Sequence, residues 1–316
     1  MQKKRLGVVT GTQLGSAFID GLREGLAATK TPADLSLLMA LHPSQMPATV
    51  GYADVNHRHA EAFARTQYVS SAKSPEFERT VLGEALDFLL VVSFSQLIPQ
   101  SVLTAMTLAR PDRGHVYYEK ACIGAHPTAL PAGRGRAPIP WTLINGLTRS
   151  ALTTFVLGEG ADDGPIIQQL AFDVNHDDDA SSLYAKVAEL HRIAGVDLAS
   201  RLSTGELVAV PQNEALASTW GKRTPADGHI RASMTVDEVC RLVRASQSPY
   251  PPAFIVAGSE ILYVTGTQPA SAASPGRLSV KSGELIELGL VDGAVCLRLR
   301  APIESPAAWL DNLLLP

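Results

Sequence analysis

Cysteine is scarce in this chain. Cys122, Cys240 and Cys296 are the three present, an odd number, far apart and without a CxxC pair. A disulfide framework or a cysteine-built zinc site is therefore not expected, and a reducing, cytoplasmic compartment fits. Long apolar runs are missing as well. None approaches the roughly 18 residues that suggest a membrane span. The basic start MQKKRLGVVTG carries an apolar stretch of four residues before Thr10, too short for a signal peptide. Charge is modest, 18% of residues with a net −4, and Lys and Arg form no long run. That argues against a broad basic face for nucleic acid and leaves room for one local anion pocket. Apolar residues are plentiful, 46% of 316. The chain can bury a real core, and its length suits about two domains of roughly 150 residues each.

The first part alternates strand-like and helix-like segments. Short apolar runs at Arg5–Thr10, Leu35–Leu41, Phe88–Ser93, Ala121–Ala125, Leu152–Leu157 and Ile166–Phe172 predict buried strands. Between them lie stripes at helical spacing: Leu14, Phe18, Ile19, Leu22 and Leu26, then Phe77, Val81, Leu82 and Ala85 behind Pro75. A long amphipathic helix begins at Ser181 and buries Leu183, Val187, Leu190, Ala194 and Leu198. The alternation predicts an α/β fold with a doubly wound, mostly parallel sheet. The texture changes near Gly205. A capping box at Thr235 and Glu238 opens one helix. Short strands follow at Ala253–Val256, Ile261–Thr265, Leu278–Val280, Leu285–Leu288 and Val295–Leu299, with a surface loop at Gln268–Pro275. A small antiparallel barrel or sandwich is expected there, so the domains are drawn as 1–205 and a β-rich, barrel-like 206–316.

Three loops could carry chemistry. Residues 123–141 (IGAHPTALPAGRGRAPIPW) place His126 just past a strand's carboxyl end, where open α/β sheets put ligands. His126 could be a general acid/base or donate to a developing oxyanion; the plainer reading is a turn histidine satisfied by backbone. Arg134 and Arg136 alternate with glycine and could fork onto an anion, or Arg134 could pin its own loop. Residues 159–164 (EGADDG) could aim a carboxylate at the same crevice, or form an acidic surface turn. Residues 93–99 (SFSQLIP) could form a slot for a flat heterocycle, or a helix entry with Leu97 and Ile98 buried. GTQLG at 11–15 lacks the third glycine of a dinucleotide fingerprint. His57 and His59 read as a solvated segment. Asp177, Asp178 and Asp179 read as favouring the dipole of the helix that follows.

Together these loops resemble the folate-dependent formyltransferase family. Its N-x-H-x-S-L-L-P and R-G motif reads here as Gly124-Ala125-His126-Pro127-Thr128-Ala129-Leu130-Pro131 and Arg134-Gly135. Its D-x-G reads Asp162-Asp163-Gly164, and its G-x-I-L-P loop reads Ser95-Gln96-Leu97-Ile98-Pro99. Arg223–Gly228 and Pro249-Tyr250-Pro251 match stretches of the family's C-terminal domain. One departure stands out: the family's Asn is Gly124 here. Loss of one oxyanion donor costs about 10²–10³ in rate; Thr128 is the substitute considered first, with Ser93 and Ser95 behind it. The resemblance implies N10-formyltetrahydrofolate as formyl donor, held by Phe94, Ser95, Gln96, Leu97, Ile98 and Gly160. It implies His126 and Asp162 as the acid/base pair and no metal. Gly11, Thr12, Arg134 and Arg136 are the residues expected to hold the acceptor. A nucleotide-linked amino sugar is the acceptor expected, with no membrane partner; a homodimer is left open. Methionyl-tRNA formyltransferase is the second reading, although a tRNA partner is poorly matched to the acidic balance. A catalytically silent folate or nucleotide-sugar binding protein is the third. A formyl-folate hydrolase and transfer of another one-carbon or acyl group rank below these.

Overall fold

A computed structural model of the chain describes residues 3–30, 32–203, 207–271 and 273–303. Among these, Met1–Pro138, Arg149–Asp173 and Ala185–Trp220 form one compact unit, and Ile139–Thr148, Val174–Tyr184 and Gly221–Pro316 form a second. The division drawn at 205 and 206 lies outside the described residues. The next strand, Leu207–Ala209, pairs with a first-unit strand, which carries that unit past the expected boundary.

The first unit and its connections run β1 (Lys4–Thr10), α1 (Gln13–Thr29), β2 (Ala33–Leu41), α2 (Val55–His59), β3 (Arg65–Val69), α3 (Pro75–Gly83), β4 (Phe88–Val92), α4 (Gln100–Ala105), β5 (Leu108–Asp112), β6 (His115–His126), β7 (Arg134–Gly135), α5 (Pro138–Ile144), β8 (Arg149–Val156), β9 (Ile166–Asp173), α6 (Ala180–Ser203), β10 (Leu207–Ala209) and β11 (Thr219–Trp220). The main sheet has the order β3-β2-β1-β4-β6-β8-β9, with β5 and β10 also on β6. β3, β2, β1, β4 and β6 are parallel, while β5 and β10 run antiparallel to β6. β8 and β9 are antiparallel, because the nine residues 157–165 between them are too few for a parallel crossover.

Both faces of β1, β2 and β4 are covered, which is why these strands read as apolar runs, whereas the edge strand β3 (RTQYV) is largely exposed. Leu6, Val8 and Leu90 pack with Phe18, Ile19 and Leu22 of α1 and Leu198 of α6. Val9, Leu89 and Val91 face the other way, onto Phe77 and Val81 of α3 and Val102 of α4. Strand order reverses between β1 and β4, so the crevice where such sheets hold ligands opens beyond their carboxyl ends. Two expectations are corrected here. Leu82 is 42% exposed, because Phe77 and Val81, four apart, take the buried face of α3 and Leu82 lies about 100° round the helix from Val81. His59 is not solvated: it is 1% exposed, and its Nε2 meets Ser16 Oγ at 2.8 Å, tying α2 to the first turns of α1.

The second unit holds α7 (Val236–Ala245), β12 (Ala253–Ala257), β13 (Glu260–Pro269), β14 (Leu278–Ser282), β15 (Leu285–Leu290) and β16 (Gly293–Leu299). These strands form an antiparallel sheet of order β12-β13-β16-β15-β14. Among the described residues β12 and β14 are its edges, so no ladder closes it into the expected barrel. α7 starts at the capping box Thr235–Glu238 and buries Val239, Leu242 and Val243 on the sheet. The expected 268–275 loop is shorter, because β13 continues through Pro269; Ala272 lies outside the described residues.

Candidate active site

His126 ends β6, on the strand face that also carries Gly124 and Cys122. Its ring is buried. Nε2 lies 2.9 Å from the Gly133 carbonyl, which can only accept, so Nε2 carries the hydrogen. Nδ1 lies 3.6 Å from Asp162 Oδ2. At that distance the carboxylate faces Nδ1 without a hydrogen bond of ordinary length. Asp162 reaches this place because the 157–165 segment folds back over β6: the Leu157 side chain lies against Gly124. Its backbone is left-handed, φ +56°, a conformation asparagine and aspartate tolerate better than most residues. The Gly135 amide donates to Asp162 Oδ2 at 2.8 Å and fixes the carboxylate. Thus the structure brings His126 and Asp162 together, 36 residues apart in sequence.

The neighbours divide sharply. At Gly124 a Cβ would sit 2.7 Å from Leu157 Cδ2 and 3.2 Å from Phe155 Cζ. The space a side chain would need is filled by Phe155, its partner across β6 and β8, and by Leu157. Thr128 is 1% exposed, and its Oγ1 is buried with no hydrogen-bond partner among the described residues. Arg134 corrects an expectation. Its guanidinium is spent on Gln212 Oε1 at 2.8 Å and Glu214 Oε1 at 2.6 Å, so it pins the 210–216 segment to β7. Arg136 is exposed, and its backbone amide donates to Trp220 O.

The 93–99 loop starts from Ser93 at φ +50°. Phe94 is half-buried against the α3–α4 core, while Ser95 is exposed and Leu97 is 66% exposed. Gln96 and Ile98 hold the loop instead of facing the crevice. The Gln96 amide takes the Ala72 N–H at 2.9 Å and gives to Ser70 O at 3.2 Å, and Ile98 is buried in the core. Gly160 lies where a Cβ would meet Asp163 Oδ2 at 2.1 Å, so glycine lets the Asp163 carboxylate tuck under its own loop. Gln100 Nε2 donates to Glu159 Oε1 at 3.0 Å and links the two loops. Past β1, the Gly11 carbonyl accepts from Ala53 N, and Thr12 Oγ1 accepts from Gly15 N at 3.2 Å as the α1 cap. Both residues rim the crevice with those groups already committed.

A formyl transferase family profile matches residues 16–197, and the formyl transferase C-terminal domain matches 222–305. The chain belongs to the formyl transferase family. Solved members share its fold at low identity. HypX from Aquifex aeolicus in complex with tetrahydrofolic acid is 16% identical over 94% of this chain, with TM-score 0.59; the chain spans 44% of HypX. An N-formyltransferase from Helicobacter canadensis, in complex with folinic acid and dTDP-3-aminofucose, is 12% identical over 94% of this chain and 99% of its own, with TM-score 0.64. Methionyl-tRNA formyltransferase from Clostridium thermocellum is 17% identical over 84% of this chain and 94% of its own, with TM-score 0.55.

Within this chain, three supports of the site carry little local sequence signal. The Gly133 carbonyl on His126, the Gly135 amide on Asp162 and the Gln212–Glu214 clasp on Arg134 are backbone groups or residues some 80 positions away. Only the glycines flanking Arg134, which let the backbone approach closely, hinted at the first two.

Proposed function

We propose that this formyl transferase moves a formyl group from N10-formyltetrahydrofolate to a primary amine, the amine of a nucleotide-linked amino sugar. The observation that carries the reading is the buried His126 with the half-buried Asp162 beside it at the carboxyl edge of the parallel sheet. A folate fits the residues beside it. Leu97 and Phe94 offer apolar surface to a flat ring, and Asp163 Oδ1 is a buried acceptor with no hydrogen-bond partner among the described residues, suited to a ring rich in N–H donors. The folate supplies the formyl carbon.

The chain's own groups do the rest. His126 Nε2 already donates to a carbonyl, so giving that hydrogen to a formyl oxygen exchanges one acceptor for another, and an oxygen gaining negative charge is the stronger acceptor. Asp162 faces Nδ1 from the other side of the ring and orients it. Arg136 remains for the acceptor, while Arg134 and the Thr12 hydroxyl are committed within the chain. The sugar acceptor is favoured because the Helicobacter enzyme corresponds to this chain over 99% of its own length and because a net −4 suits tRNA poorly.

The test is mass spectrometry of aminated nucleotide sugars incubated with the protein and the formyl donor. A gain of one carbonyl mass on one sugar supports the reading, and no gain on any sugar overturns the acceptor. His126→Ala and Asp162→Asn lower turnover about 10²–10⁴-fold; full activity in both removes the assigned roles.

A second reading has its own observation. Gly124 brings no amide, and Phe155 and Leu157 fill the place where one would stand. A protein that binds folate without transferring its formyl group is consistent with that. A thermal shift with folate alongside zero turnover on the same panel selects it.

A further inference from the structure

Gln212 touches both loops of the site at once. Val210, two residues before it, pairs with Ile166 in an antiparallel bridge, with N to O distances of 2.8 and 2.7 Å, and this sets the 210–212 segment beside the end of the 157–165 turn. From there the half-buried Gln212 carboxamide reaches two ways. Its Nε2 donates to the carbonyls of Asp162 and Gly164, each at 2.8 Å. Its Oε1 accepts from Arg134 Nε at 3.2 Å and from Arg134 Nη2 at 2.8 Å. A primary amide has two donor hydrogens and two acceptor lone pairs, so its capacity is used in full.

These bonds close a ring around the His126 and Asp162 loops. The residue after Arg134 is Gly135, whose amide donates to Asp162 Oδ2 at 2.8 Å. The peptide before Arg134 presents the Gly133 carbonyl to His126 Nε2 at 2.9 Å. Asp162 is thus held twice, by its carboxylate from β7 and by its backbone from Gln212, while Gln212 holds β7 through Arg134. The second grip has work to do, because Asp162 sits at φ +56°, a backbone conformation that a residue other than glycine keeps where its surroundings hold it. On the far side of the same turn, Gly164 passes so close to the Val156 carbonyl that a Cβ has no room. The turn therefore rests on β8 along one edge and on Gln212 along the other. Its position sets where Asp162 Oδ2 stands, 3.6 Å from His126 Nδ1.

We propose that Gln212 is a positioning residue for formyl transfer: it braces the Asp162 turn against Arg134 and so fixes the carboxylate beside His126. This rests on the roles given above to His126 and Asp162. A brace on Asp162 and a simple pin on Arg134 differ in what glutamate does at 212. Gln212→Glu keeps the length and offers Arg134 a charged partner, which strengthens a pin. It brings no hydrogen for the Asp162 and Gly164 carbonyls, which breaks a brace.

The test uses the full chain with Gln212→Glu and Gln212→Ala. Hydrogen exchange at the Gly135 amide, read by NMR, follows the Asp162 carboxylate without need of an acceptor. Both variants should speed it about tenfold, as for one net hydrogen bond lost, with the Val8 and Leu90 amides of the core strands unchanged. The second arm is kinetics with N10-formyltetrahydrofolate and the aminated nucleotide sugars. Both variants should lower kcat about 10–100-fold and change the donor KM less than about twofold. In an Asp162→Asn background the same substitutions should cost nothing further, since no carboxylate is left to place. Where Gln212→Ala does not fold, Gln212→Glu decides. Unchanged exchange at Gly135, a Gln212→Glu protein as active as wild type, a rise in KM alone, or an undiminished loss in the Asp162→Asn background each overturn the proposal. If the wild type formylates no sugar, the acceptor reading fails and exchange at Gly135 decides this one by itself. If Asp162→Asn is fully active, the assigned roles and the brace fall together.

Discussion

At the scale of one residue, Gly124 shows how a site is set by what stands opposite it. A side chain at 124 has no room while Phe155 and Leu157 occupy the strand face. Gly124→Asn therefore does not rescue transfer by restoring an amide. It overpacks the sheet, which costs about 1–3 kcal/mol. Thermal melting should show a lowered Tm with no gain in formyl transfer; a variant as stable as wild type and faster would refute this. Arg134 makes the complementary point. Both of its roles were open in the sequence, and partners 78 and 80 residues away chose between them. Arg134→Ala should lower stability by about 1–3 kcal/mol. Glu214 is largely exposed, so screening by solvent places the effect toward the lower end. On the proposed reading, binding of a nucleotide sugar should stay unchanged in the same protein, because the guanidinium is held by Gln212 and Glu214. A large loss of affinity by calorimetry would return Arg134 to the acceptor site.

At the scale of elements, legibility followed burial and periodicity. Strands β1, β2, β4, β8 and β9 stood out as apolar runs, and α7 announced itself through Thr235 and Glu238. Short pieces such as β7, β10 and β11 carry no pattern of their own; each exists because a neighbour supplies its hydrogen bonds. His59 defeated the sequence reading for a related reason. A histidine in a polar stretch looks solvated until the hydroxyl of Ser16, on another helix, gives it a buried partner. The His126 and Asp162 loops were visible as glycine- and proline-rich turns past strand ends. Their convergence needed the fold-back of 157–165, which only the packing of Leu157 on β6 reveals. The capping box makes a separate prediction. Thr235→Ala removes the hydroxyl that accepts from Glu238 N at 3.2 Å and should cost about 0.5–2 kcal/mol. Urea unfolding followed by the tryptophan signal checks it, and an unchanged midpoint would mean that the sheet alone holds α7.

At the scale of the whole molecule, buried histidines tie stability to pH. His191 on α6 gives its Nδ1 hydrogen to the Val187 carbonyl at 2.7 Å, and its Nε2 is buried with no partner among the described residues. Burial lowers its pKa from 6.5 to about 4. His59 is lowered as well, by burial first, with Asp20 opposing. The folded state thus refuses protons that the unfolded chain accepts. For a group lowered on folding, stability is complete above the unfolded value and falls as the pH drops toward the folded one. The window runs from about 6.5 down to 4, and His191 alone accounts for about 3 kcal/mol across it. Carboxylates lowered by their partners, Asp227 and Glu238 among them, add a loss in the same direction at more acidic pH. Urea midpoints measured between pH 7 and pH 4 should fall steadily for the wild type. His191→Leu should flatten the upper part of that curve and leave the acidic part, where carboxylates act, unchanged. Identical slopes in the two proteins would mean that His191 takes up its proton without unfolding, with water or a shifted helix reaching Nε2.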